Sequence, residues 1–312
     1  MEIHKFTAYR EKVIDSCSKV IVGKESEILS LLICFVCSGH VLLEDVPGTG
    51  KTMLLRGFAK TIGGDFKRVQ FTPDLLPSDL TGIHFFNQKT SDFEFRPGPL
   101  FTNVVLADEL NRATPRTQSS LLEAMEEFQV TVDGATFLLA SPFMVMATQN
   151  PLESFGTFPL PDAQLDRFFM RLSLGYMTRE QELSVLGRTS TVNIIEELKS
   201  VVTLDETNYV RQHFTQVTMS TDVANYIMDI IEMTRKDARL SVGISTRGSK
   251  ALYRATQACA ALNGRDYSLP EDVRFVAPHV LAHRLNLGGS IGRESSLQLV
   301  QELIDQVKVP IE

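Results

Sequence analysis

Tryptophan is absent from the 312 residues, and cysteine occurs only four times. Long apolar runs are missing too. The most apolar stretch, residues 28–37, is broken by Ser30 and followed by Ser38, Gly39 and His40. It falls short of the about 20 residues that a membrane-spanning helix needs, so it predicts a buried helix. The first residues, MEIHKFTAYREKVIDSCSKV, carry no apolar core behind a basic stretch and do not read as a secretory signal. A reducing cytoplasm is the expected compartment. Basic residues are outnumbered, 31 Lys+Arg against 38 Asp+Glu, for a net charge of −7. Nucleic acids and anionic membranes both select basic patches, so this balance disfavours them as partners. Cys34 and Cys37 form a C-x-x-C, but no second pair completes a zinc site. Small hydrophobes on a buried helix are the expected reading. His279 and His283 stand four apart without the Glu of an H-E-x-x-H motif, so no metal role is expected there.

What is present is an ordinary globular composition, 43% hydrophobic and 22% charged. The length predicts roughly two domains at about 150 residues each. Short apolar runs alternate with helical patterns in the N-terminal half. Strands are predicted at 41–43, 66–71, 104–107, 143–148 and 169–174. Helices are predicted at 51–62 and from Pro115 through Phe128, with Thr114 as N-cap. This alternation argues for a mostly parallel sheet with helices on both faces. Two hairpins interrupt it. One pairs residues 83–86 with 93–95; the other turns at Asp133-Gly134. From about Met177 the pattern becomes helical, at 178–186, 221–235, 246–262 and 270–285, the last with a break expected at Pro278. A domain boundary is placed near residue 176, giving 1–176 and 177–312.

The strongest chemical signal is EDVPGTGKT at residues 44–52. It follows a strand and opens a helix, as a phosphate-binding loop must. Gly48 and Gly50 let backbone N–H groups turn inward around phosphate oxygens, beside the positive end of the helix dipole. Lys51 would reach the β- and γ-phosphates, and the Thr52 hydroxyl would ligate Mg²⁺. Asp45 replaces the first glycine of G-x-x-x-x-G-K-[ST]. If that position needed a positive φ, the loop entry would be altered.

The run VVLADE at 104–109 ends a buried strand in two carboxylates. Asp108 is placed to hold Mg²⁺ through water, and Glu109 to polarise an attacking water. Asn150, ending ATQN on another strand, offers a carboxamide that could orient that water, although taken alone it reads as an Asn that opens a turn before Pro151. Arg167 in LDRF and Arg247 in GISTR each place a guanidinium near a helix end, where charge building on a γ-phosphoryl group wants a cation, although periodicity alone singles out neither and a surface arginine is the default reading.

These pieces resemble the MoxR family of AAA+ ATPases. The motifs are VIVGK (20–24), PGTGKT (47–52), FTPDLLPSDLTG (71–82), DELNRA with PRTQ (108–118), LLEAMEE (121–127) and FPLPDAQLDRF (158–168). The resemblance covers nearly the whole chain. It implies a five-stranded parallel αβα P-loop core with a C-terminal α-helical lid. It implies ATP binding and hydrolysis to ADP with Mg²⁺, in a homo-oligomeric ring, usually a hexamer. Val22 and Gly23 fall where the family holds adenine, and Pro47, Gly48, Thr49, Gly50, Lys51 and Thr52 on its Walker A loop. Asp108 and Glu109 fall on Walker B and Asn150 on sensor 1. Arg167 falls on the arginine finger that reaches a neighbour's γ-phosphate, and Arg247 on sensor 2 in the lid. The hairpins match the helix-2 insert and pre-sensor-1 hairpin. Family members act as chaperone-like ATPases in the maturation or activation of protein complexes, often with a von Willebrand factor A domain partner. A chelatase-like motor subunit and a DNA-directed AAA+ motor share this core and stand as alternatives. A GTPase is disfavoured because no N/T-K-x-D motif is present.

Overall fold

The structure is a computed structural model. It describes every residue except 46–47, 150–155, 187–190, 288–292 and 311–312, and not the side chains of 191–193 and 293–295. Helices α1 (Ile3–Ser18) and α2 (Glu25–Val36) come first. Strand β1 (Val41–Glu44), helix α3 (Lys51–Thr61) and strand β2 (Phe66–Gln70) follow. After α4 (Pro77–Thr81), β3 (Gly82–Asn87) and β4 (Asp92–Pro97) form an antiparallel hairpin. Strand β5 (Val104–Asp108) leads into α5 (Pro115–Glu127), and β6 (Gln129–Val132) with β7 (Ala135–Leu138) forms the second hairpin. Strand β8 (Met144–Gln149), helix α6 (Asp162–Leu165) and strand β9 (Met170–Leu172) come next. The rest is mainly helical: α7 (Arg179–Leu186), α8 (Thr191–Glu197), α9 (Leu204–His213) and α10 (Thr221–Lys236). After strand β10 (Leu240–Val242) come α11 (Thr246–Leu262), α12 (Pro270–Leu281), strand β11 (Asn286–Leu287) and α13 (Arg293–Gln306).

Five strands run parallel in the order β2-β5-β8-β1-β9. This is the five-stranded parallel core with a C-terminal helical region that the motifs imply. Strand alternation explains why its central strands are apolar throughout 104–107 and 144–147. Val104, Leu106, Met144 and Met146 pack into one core with α1, α2, α3 and the later helices. Val105, Ala107, Val145 and Ala147 pack into a second core on the opposite face with α5. A polar residue in either set would be buried, at a cost of about 1–3 kcal/mol unless hydrogen-bonded.

Two local expectations change. Helix α12 runs through Pro278 and gives way to a 3-10 turn only at Ala282. Val276, Ala277, Val280 and Leu281 are all fully buried on that helix. Burying such side chains contributes about 1.5–3 kcal/mol for each large one, which offsets the about 3 kcal/mol cost of an internal proline. Thr114 has extended N-cap dihedrals, but its hydroxyl makes no cap bond and meets Thr117 Oγ1 at 3.3 Å instead. Helix α1, whose buried Phe6, Tyr9, Val13 and Cys17 recur at helical spacing, packs on α3 and also on α9 and α11. The N-terminal helix is thus shared between the sheet layer and the C-terminal helices.

All four cysteines are free and buried. Burial pushes the Cys37 thiol up to about 12, which leaves it protonated and unreactive at neutral pH. His40, at the foot of β1, is fully enclosed. Its Nδ1 accepts from the Val145 N–H at 2.9 Å, so Nε2 carries the proton and donates to the Met125 carbonyl at 2.9 Å. Burial lowers its pKa from 6.5 to about 4. His283 is likewise buried and held well below its usual range, with Nε2 on the Phe168 carbonyl at 2.9 Å. Among the described residues no group of three or more metal-ligating side chains occurs. Acid should therefore destabilise the fold early. Between pH 6.5 and pH 4 the unfolded chain takes up a proton at His40 that the folded chain refuses, so stability falls as pH falls. His40 alone should contribute about 2 kcal/mol of loss between pH 7 and pH 5. Urea melts at those two pH values measure it, and a His40→Gln chain should show a shallower pH slope than wild type.

Candidate functional site

Parallel register brings four strand ends together. Glu44 on β1 lies opposite Gln149 on β8, and Gln70 on β2 lies opposite Asp108 on β5. Ligands bind such sheets outside the carboxyl ends of the strands. The turn after β1 is open here. Gly48 and Gly50 have φ of +87° and +85°, and a Cβ on Gly48 would meet nothing within 4 Å. That is the open backbone cradle a phosphate requires. Lys51 Nζ donates to the Asp45 carbonyl at 3.1 Å. Asp45 itself is not among the positive-φ residues, so the glycine of the usual pattern is not needed there. Pro47 and Asn150 lie outside the described residues.

The cleft has two lobes that share Gly48, Gly50 and Met53. One, about 390 Å³, is lined by Lys51, Thr52, Asp108, Glu109, Thr148 and Gln149. The other, about 380 Å³, is lined by Val20, Ile21, Thr49, Met177 and Val185 among others. A lobe lined by charged side chains beside one lined mainly by apolar side chains suits a ligand with phosphates at one end and a ring at the other. Val20 and Ile21 line the apolar lobe, whereas Val22 and Gly23 follow just beyond them in the same loop. Gly23 has φ +68° and its carbonyl accepts from Gln181 Nε2 at 3.3 Å.

Both acids of the β5 end are held by neighbours. Asp108 accepts from Thr148 Oγ1 at 2.6 Å and from Arg68 Nε at 3.0 Å. Glu109 sits in the left-handed region at φ +57°, ψ +49°, a strained backbone for a non-glycine residue. Its N–H donates to Thr148 Oγ1 at 2.8 Å. Its carboxylate receives Gln70 Nε2 at 2.7 Å and Arg112 Nε at 2.9 Å. Thr148 thus fixes the two acids relative to one another. Gln149 is buried in the same lobe with its amide nitrogen unpartnered among the described residues. Thr52 and Asp108 offer the hard oxygen donors that Mg²⁺ prefers, and the half-exposed Arg68 guanidinium pairs with Asp108 from the solvent side.

Arg167 and Arg247 meet elsewhere. Arg167 Nε lies 3.2 Å from Glu126 Oε2, and Arg247 Nη2 pairs with Oε1 of the same carboxylate. A separate cavity of about 190 Å³, lined also by Arg254 and Arg284, lies beneath them. Neither arginine lines the cleft around Lys51. The loop bearing Arg167 is anchored to the C-terminal helices. Arg284, almost fully buried, binds Asp166 at 2.7 Å and the Phe168 carbonyl at 2.6 Å. Ser245, the N-cap of α11, donates to Asp166 at 3.2 Å.

A family model described as the ATPase family associated with various cellular activities (AAA) matches residues 40–170, and an AAA lid domain model matches 232–306. A Bacillus subtilis protein, YeaC, is 48% identical over 303 residues, covering 96% of this chain and 95% of its own. A Cytophaga hutchinsonii crystal structure superposes with a TM-score of 0.89 at 41% identity, covering 99% of this chain and 98% of that one. Chaperone MoxR1 of Mycobacterium tuberculosis is 37% identical over 286 residues, 89% of this chain and 75% of its own. The chain belongs to the MoxR family of AAA+ ATPases.

Several side chains in this MoxR site escape sequence reading. Arg68 and Gln70 reach the acids only because β2 lies beside β5, a pairing no local pattern reveals. Thr148 sits in the ATQN run yet gains meaning only from its distance to Asp108. Glu126 reads as one of several acids on a helix face until two arginines converge on it.

Proposed function

We propose that this MoxR chain binds ATP in the two-lobed cleft and hydrolyses it to ADP and phosphate with Mg²⁺. The observation that carries this is the convergence of Lys51, Thr52, Asp108 and Glu109 on the open glycine cradle. Lys51 holds the β- and γ-phosphates, and the helix N-terminus of α3 adds its dipole. Mg²⁺, held by Thr52 and Asp108, would supply charge neutralisation on the phosphate oxygens. Glu109 accepts a proton from the attacking water, with Asn150 orienting it. Val20 and Ile21 form one side of the base-binding lobe, with Val22 and Gly23 next to them in the same loop.

Arg167 and Arg247 share one face outside their own cleft, so both serve the site of a neighbouring subunit. Hydrolysis then depends on a homo-oligomeric ring, a hexamer by family resemblance. The division into a nucleotide core (1–176) and a helical lid (177–312) belongs to the same reading. So do a chaperone-like role in maturing protein complexes, a von Willebrand factor A domain partner and a cytoplasmic setting. Among the described residues no helix is long and apolar enough to cross a membrane.

Lys51→Ala tests the core of this reading. Removing a cation that makes charge-assisted bonds to phosphate should weaken ATP binding by about 100-fold or more. Calorimetry with ATP measures it, and near wild-type affinity overturns the assignment.

A further inference from the structure

Asp45 departs from the common phosphate-loop pattern, and its side chain points to a purpose. The residue is buried, 6% exposed. Its carboxylate accepts from one short segment of chain. Ser173 Oγ reaches Oδ1 at 3.0 Å, the Gly175 N–H reaches the same oxygen at 3.1 Å, and the Leu174 N–H takes Oδ2. That segment follows β9 and continues into Tyr176 and Met177. Gly175, Tyr176 and Met177 together line the apolar lobe. From the opposite side, Lys24 Nζ donates to the Tyr176 carbonyl at 3.4 Å. The Asp45 backbone carbonyl meanwhile accepts from Lys51 Nζ. One residue therefore faces the phosphate lobe with its main chain and the apolar lobe's wall with its side chain.

We propose that Asp45 is a positioning residue that fixes the 173–177 wall of the base-binding lobe against the phosphate loop. The proposal rests on the nucleotide reading of the cleft. A buried carboxylate is costly unless it is hydrogen-bonded, and donors to a charged acceptor are the stronger kind. Glycine at this position would leave two backbone N–H groups without their acceptor, and the wall would lose its anchor. The phosphate cradle would survive, because Gly48, Gly50 and Lys51 shape it without using the carboxylate.

Two probes separate the lobes: ATP, which uses both, and inorganic tripolyphosphate, which uses only the phosphate lobe. Asp45→Gly restores the common loop pattern, yet it should weaken ATP binding by about tenfold while tripolyphosphate binding stays within about twofold. Asp45→Asn keeps the volume but sets an NH₂ group against one of the N–H donors, and should show the same split. Ser173→Ala, which removes only the hydroxyl, should show a smaller one. Calorimetry on the 312-residue chain reads all three, and thermal melts identify any variant that fails to fold. If Asp45→Gly does not fold, the Asn and Ala variants decide. Unchanged ATP affinity overturns the proposal. So does an equal loss for both probes, because that pattern marks a general disturbance of the loop. A wild-type chain that binds neither probe overturns the nucleotide reading itself, and this proposal with it.

Discussion

Glu109→Gln should bind ATP with near wild-type affinity and release phosphate about 100- to 10,000-fold more slowly, the range a positioned general base contributes. The carboxamide keeps the shape and one acceptor oxygen, so the contact from Gln70 can persist. It removes the proton acceptor, which is the only part of the side chain the hydrolytic step needs. The strained backbone at Glu109 is set by the end of β5 and by the Thr148 hydroxyl, both outside the substituted group. Steady-state phosphate release and ATP calorimetry, run on the same preparation, separate the two effects. Undiminished release sinks the assignment of Glu109 as base.

Arg167→Ala should cut turnover by about 10³-fold or more, as loss of an arginine finger does, at unchanged ATP affinity. The affinity holds because Arg167 lies on Glu126 and not in its own cleft. The sharper result comes from mixing. An Arg167→Ala subunit keeps its Glu109, and a Glu109→Gln subunit keeps its Arg167. In a ring mixed at random in equal parts, roughly one interface in four joins an intact base to an intact finger. Two inactive proteins should therefore recover about a quarter of wild-type turnover. No recovery would mean that the finger does not act between subunits. Arg247→Ala tested in the same mixture should behave alike, since one carboxylate holds both guanidinium groups.

The phosphate loop was legible because its chemistry demands adjacent residues. Gly48, Gly50, Lys51 and Thr52 must be neighbours in the chain to surround one phosphate, so their spacing survives in the sequence. The apolar run before Asp108 was legible because a strand buried on both faces tolerates no polar residue. Pro278 misled because a local rule met a stronger tertiary term, the burial of α12 against α11 and the neighbouring elements. Asp45 looks like an irregular loop residue in the sequence because its partners lie about 130 positions away.

By itself the sequence determined the alternating α/β core, the later helical region, the two hairpins and the glycine-rich loop that runs into α3. Each of these depends on periodicity or on close neighbours along the chain. Only the tertiary structure decided what those residues touch. It set Arg68, Gln70 and Thr148 around the acids, because strand order is a long-range property. It gathered Arg167 and Arg247 on Glu126, away from the cleft. It also turned Asp45 from a missing glycine into the anchor of the 173–175 segment, because a hydrogen bond depends on distance in space and leaves no periodic trace in sequence.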